Sequence, residues 1–151
     1  MTSIFSKLTL KDQTEILVLN APESFEPELA ALTGIKVLRD AREAREIVFT
    51  LVFVTTLPEI EAAGKTIAKK AKGDALIWFA YPKGTSKKYK CNFNRDNGWE
   101  ALGSVGFERV RQVAIDEDWT AMRFRRVEFV KTMKRRESFA LTKQGKAKTK
   151  K

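Results

Sequence analysis

Short apolar runs recur along the first eighty residues, each flanked by charged or turn-forming positions. Ile16-Leu-Val-Leu19 is apolar at every position, the pattern of a parallel strand covered on both faces. Ile35-Lys-Val-Leu38 predicts a short second strand. Ile47-Val-Phe-Thr-Leu-Val-Phe-Val54, rich in β-branched and aromatic residues, predicts the strand at the sheet centre, and Ala75-Leu-Ile-Trp-Phe-Ala80 a fourth. Between them the period changes. Residues 25–32 predict a helix with Ser24 as its N-cap and Gly34 at the left-handed position after its end. The charged connector at 39–46 has apolar surface for only one or two helical turns. Thr56-Leu-Pro-Glu59 matches a capping box; Leu57, Ile60, Gly64, Ile67 and Ala71 follow on one helical face, Lys69, Lys70 and Lys72 fill the last turn, and Gly73 closes it.

Beyond Tyr81-Pro82-Lys83, a polar loop carrying Lys87, Lys88 and Lys90 leads to a helix expected near residues 95–104, where Trp99 and Leu102 share a face. Two strands follow, at about 108–115 and 119–130. The connection Asp116-Glu-Asp118 is so short that it joins antiparallel neighbours.

The loop after the first strand is the most telling segment. Ala21-Pro-Glu-Ser-Phe-Glu-Pro27 contains no glycine, whereas nucleotide-binding α/β domains use glycines there to bring backbone amides against a ligand. Glu23, Glu26 and Glu28 already supply negative charge to that helix end and would repel an anion. Histidine is absent from the chain, which removes Ser-His-Asp and Cys-His schemes and leaves only carboxylates as metal ligands.

Charge divides along the chain. The net charge is +10, but residues 131–151 hold nine Lys or Arg against the single acid Glu137, so the body is close to balanced. Residues 1–130 are expected to form one domain and 131–151 a basic, largely disordered tail, suited to sequence-independent attraction to nucleic acid or another polyanion or else to solubility alone. The start of the chain lacks a basic-then-apolar leader pattern, no run approaches membrane-spanning length, and Cys91 has no intramolecular partner; the expectation is a soluble cytoplasmic protein.

Ile16-Leu-Val-Leu19, Lys72-Gly-Asp-Ala-Leu-Ile-Trp78 and Trp99-Glu-Ala-Leu-Gly-Ser-Val-Gly-Phe107 resemble scaffold segments of class I S-adenosylmethionine-dependent methyltransferases, with one strand–helix unit missing after the second strand. Leu17-Val-Leu-Asn-Ala-Pro22, Val52-Phe-Val54, Trp78-Phe-Ala-Tyr-Pro-Lys83, Asp96-Asn-Gly-Trp99 and Ile115-Asp-Glu-Asp-Trp-Thr-Ala-Met-Arg-Phe-Arg125 are similar to a bacterial family of small proteins of unknown function, which implies a fold and no activity. The expected architecture is a three-layer α/β sandwich of Rossmann-like, methyltransferase-like type. Its mostly parallel six-stranded sheet has the order 2-1-3-4-6-5, with the last strand antiparallel.

In such a sheet, ligands lie outside the carboxyl ends of the strands where the connections reverse direction. Those ends carry Asn20, Asp40, Thr55, Thr56, Tyr81, Lys83 and Asp116, of which Asn20, Asp40, Thr55, Tyr81 and Lys83 are the candidate crevice residues. Asp40 follows Asn20 at the spacing of a ribose-binding acid, and Pro82 directs Lys83 toward the crevice. Trp119, Arg123 and Arg125 alternate onto one face of the last strand, where the arginines can pair with acids of the body or with phosphate. The leading functional expectation is a non-catalytic binding or interaction protein on a cofactor-degenerate scaffold; the alternative is an enzyme that binds a nucleoside-containing cofactor through a glycine-free loop.

Overall fold

The computed structural model describes residues 4–8, 10, 13–90 and 99–127. Six strands form one sheet: β1 (Glu15–Leu19), β2 (Lys36–Leu38), β3 (Ile47–Phe53), β4 (Ala71–Pro82), β5 (Phe107–Ala114) and β6 (Trp119–Arg126). Their order is β2-β1-β3-β4-β6-β5. β1 pairs in parallel with β2 and β3, and β3 with β4, whereas β6 runs antiparallel to both β4 and β5. This is the expected Rossmann-like, methyltransferase-like arrangement, including the antiparallel last strand.

The sheet is covered on both faces, as its apolar central strands require. On one face, α3 (Leu57–Lys70) and α4 (Glu100–Ser104) pack with Ile60, Ile67 and Leu102 against Val52, Ile77, Phe79 and Phe124. Trp99 is fully buried here, with its ring 6.1 Å from that of Phe79 and 5.3 Å from that of Phe124. A Cβ on Gly64 would lie 2.6 Å from Leu102 Cδ2, so the glycine permits the close approach of α3 to α4. On the other face the cover, among the described residues, is α1 (Ile4–Lys7), α2 (Glu26–Ala30) and the 3₁₀ turn Glu23–Phe25. Phe5, Leu8, Phe25 and Leu29 pack there against Ile16, Val18, Phe49, Leu51, Phe53 and Trp78. The Trp78 indole donates to the Leu8 carbonyl at 2.9 Å and ties the α1 segment to the sheet centre.

Local chemistry accounts for most boundaries. Thr56 and Glu59 form the reciprocal capping box at the start of α3. Several ends differ from expectation. α3 stops at Lys70 without a glycine cap, because Arg126 of β6 donates to the carbonyls of Ala68 and Ala71 and satisfies the helix end from a distant strand. Lys72 and Gly73 therefore belong to β4, which starts earlier than expected, with Gly73 at φ +57°. The helix expected at 25–32 shrinks to the 3₁₀ turn and the short α2, and Ser24 lies inside the turn instead of capping a helix; neither element has a side-chain cap. Leu57 is exposed, since the inward face of α3 is Ile60, Ala63, Gly64 and Ile67. The 39–46 connector makes one 3₁₀ turn, Ala41–Glu43, which Asp40 caps. Asp96, Cys91 and the basic segment 131–151 lie outside the described residues.

Candidate functional site

The strand order reverses direction between β1 and β3, and the gap beyond their carboxyl ends is where an open α/β sheet holds its ligand. In this chain that gap is bridged. Asn20, the residue directly after β1, has φ +59°, a left-handed conformation that asparagine tolerates better than most residues. Its Nδ2 donates to the carbonyl of Phe53, the last residue of β3, at 3.2 Å. The chain thus makes, with an asparagine, a turn that nucleotide-binding α/β domains make with glycine, and it uses the side chain to join the two strand ends.

A row of aromatic rings runs across the same ends. Phe25 packs on Phe53 at 5.0 Å between ring centroids, Phe53 on Trp119 at 5.1 Å, and Trp119 on Tyr89 at 4.9 Å. Phe5 meets Phe25 at 5.8 Å from the α1 side. Phe25 is therefore the reason the loop has no open, glycine-rich cradle: it folds inward to complete the thinly covered face. Sequence reasoning missed this row, although one phenylalanine amid the polar residues of 21–27 was its visible signal.

The polar candidates are mostly engaged with one another's neighbourhoods. Asp40 accepts from the Arg42 amide at 2.9 Å and from its guanidinium at 2.7 Å, and these bonds pull its carboxyl down to about 2. Glu26 of α2 takes a two-point contact from Arg39 at the end of β2, at 3.0 and 2.5 Å; the hydrogen bond from Arg39 holds the Glu26 carboxyl below its usual range. Thr55 donates from both its amide and its hydroxyl to Glu59 Oε1, at 2.9 and 3.1 Å, and Thr56 does so at 3.0 and 3.1 Å. Burial alone would raise the Glu59 carboxyl, but these four donors outweigh it and lower it.

Tyr81 lies on the opposite face from Phe25, buried against Trp99 at 5.3 Å, and its hydroxyl accepts from Gln112 at 3.2 Å. Lys83 is half-exposed; its backbone amide bonds the Asp118 carbonyl at 2.8 Å, while its ammonium makes no hydrogen bond or ion pair among the described residues. Asp116 receives the amides of Asp118 and Trp119, both at 2.8 Å, and shapes the β5–β6 turn. Asn20, Asp40, Thr55 and Lys83 thus share the strand-end region, whereas Tyr81 faces the α3–α4 layer.

No family model and no curated protein matches the chain. Among solved structures, it is similar to a fibrillarin pre-rRNA processing protein of Methanococcus jannaschii, at 12% identity and a TM-score of 0.49, over 77% of this chain and 68% of that one. It is also similar to the N-methyltransferase NodS from Bradyrhizobium japonicum WM9, at 12% identity and a TM-score of 0.49, over 82% of this chain and 92% of that one. The scaffold is methyltransferase-like, and the strand order itself carries that statement. The residues at the strand ends do not fit the nucleoside cofactor such a scaffold implies. Phe25, from the loop after β1, packs on Phe53 at the end of β3, Asn20 ties the same two strand ends together, and the Asp40 carboxylate is already held by Arg42.

Removing the ring that completes this face should cost about 3 kcal/mol or more in Phe25→Ala, read as a lowered urea midpoint at unchanged slope. The Asp40 carboxyl should titrate with a midpoint of about 2 in carbon-detected NMR, and Arg42→Gln should move that midpoint up toward the ordinary aspartate range. Because the folded value is depressed, any stability it contributes is present above the ordinary aspartate value and is lost as pH falls toward 2.

Proposed function

We propose that this chain is a non-catalytic binding module built on a methyltransferase-like scaffold, acting in the cytoplasm, and that its basic segment 131–151 contacts nucleic acid or another polyanion. The observation that carries the first part is the bridged gap between β1 and β3, closed by the Asn20 hydrogen bond to Phe53 and by the Phe25–Phe53 ring contact. A nucleoside cofactor would have to displace an aromatic ring from a core contact and an arginine from Asp40. Each displacement opposes binding. The second part is supported by charge alone: nine basic residues against one acid in the last twenty-one positions, a density that releases counterions from a polyphosphate on contact. Lone Cys91 is in keeping with a reducing compartment, and among the described residues no helix is long and apolar enough to cross a membrane.

Calorimetric titration with S-adenosylmethionine, S-adenosylhomocysteine, NAD and ATP is expected to show no binding tighter than about 1 mM. Micromolar binding that disappears in Asp40→Ala would overturn this reading in favour of an enzyme using a glycine-free cofactor loop. For the tail, replacing the five lysines of residues 143–151 by glutamine in the full chain should weaken RNA binding and flatten its salt dependence by several units of slope. An unchanged slope would refute the polyanion contact.

A further inference from the structure

The face of the sheet that α1 and α2 cover over β1, β3 and β4 continues onto β6 and β5, and there its chemistry changes from aromatic to cationic. Trp119 and Ala121 belong to the apolar cluster of that face; the next residues of β6 on the same side are Arg123 and Arg125. Arg111 of β5 stands directly opposite Arg123 in the ladder, and Glu108 directly opposite Arg125. Like charges placed opposite one another across a sheet are destabilising. Something must offset that repulsion or the position is wasted.

Among the described residues, acids pair with one of the three arginines. Arg125 is held by Asp74 in a two-point contact, at 3.0 Å from Nε and 2.5 Å from Nη2, with the two side chains 29% and 35% exposed. Glu108 is fully buried, has an interaction of its own and stands opposite Arg125 in the ladder. Arg123 and Arg111 make no hydrogen bond and no ion pair among the described residues. Arg123 is half-buried, and its Nε is shielded from solvent without a partner. Burial, then Arg125, then Arg111 push the Arg123 guanidinium below its usual range, and only Asp74 pulls the other way. A half-buried, unpaired guanidinium facing a second one is costly to maintain.

We propose that Arg123 and Arg111 form an oxyanion site on this sheet face that takes a phosphate group, either as free phosphate or as part of a nucleic-acid backbone. Guanidinium forks carried at directly opposite ladder positions can bring planar N–H donors to the oxygens of one phosphate. Asp74 and Glu108 flank the site on the Arg125 side, so the open charge is directed toward the Arg111 and Arg123 end. The site lies on the folded body and goes beyond the tail contact proposed above.

The test uses the full chain, alone and with the tail lysines neutralised, so that failure of the tail reading is separable from failure of this one. Inorganic phosphate and pyrophosphate are titrated by thermal shift and calorimetry, and a single-stranded oligonucleotide of about 12 nucleotides by fluorescence anisotropy. The exposed Arg111→Gln variant, which leaves the core untouched, and the Arg111→Gln/Arg123→Gln double variant should each lose at least about tenfold in affinity in one or both arms. The charge-matched Lys36→Gln/Lys69→Gln variant should lose much less. A loss in the phosphate arm identifies a free-phosphate site; a loss confined to the oligonucleotide identifies a backbone contact. Equal affinities for wild type and both arginine variants, or an equal loss in the lysine control, would overturn the proposal.

Discussion

Burial of β1, β3 and β4 on both faces is the constraint from which the other features follow. Ile16, Leu17 and Val18, then Leu51, Val52, Phe53 and Val54, then Ile77, Trp78, Phe79 and Ala80 are all nearly inaccessible to solvent. Strands of this kind need a layer above and a layer below. One layer is a regular helix, α3, backed by α4. Among the described residues the other has two short helices and a turn, and its volume is supplied by large side chains: Phe5, Phe25, Phe49, Phe53, Trp78 and Trp119. Aromatic rings bury the most area per residue, which is how a thin cover still excludes water.

That solution reshapes the end of the sheet. A nucleotide-binding scaffold keeps the β1 loop open and glycine-rich so that a ligand can rest on backbone amides. Here the loop must deliver Phe25 to the core, and a phenylalanine that completes packing cannot also leave a cradle. The polar residues around it respond to the same closure. Asn20 joins two strand ends, Arg39 fastens the loop helix through Glu26, and Asp40 caps its own turn. These contacts tie the strand ends to one another and to the loops beside them.

The antiparallel end of the sheet follows another rule. Beyond Trp119 and Ala121, β6 changes from apolar to basic on that face. Arg126, on the opposite side, is absorbed by the carbonyls at the end of α3, and Arg125 by Asp74. Among the described residues Arg123 and Arg111 have no such partners, which is why this patch differs from the surface ion pairs elsewhere, such as Lys65 with Glu61 and Lys72 with Glu46.

The chain's own pattern determined the strands and the antiparallel pairing of the last two, because two-sided apolar runs, a capping box and a three-residue corner are local signals; the order of the strands in the sheet was expected from the resemblance to methyltransferase scaffolds. It also showed that the β1 loop lacks glycine. Only the tertiary structure decided what stands in that loop's place, since the Phe25 contact with Phe53 and the Asn20 bond to its carbonyl join residues about thirty positions apart, and no local period encodes such a distance. For the same reason the end of α3 was misplaced: the donor that closes it, Arg126, lies more than fifty residues downstream. The alternation of Arg123 and Arg125 along β6 was legible in the residues. That one of them is paired and the other is not depended on where β4 and β5 lie beside β6, which is a property of the folded sheet.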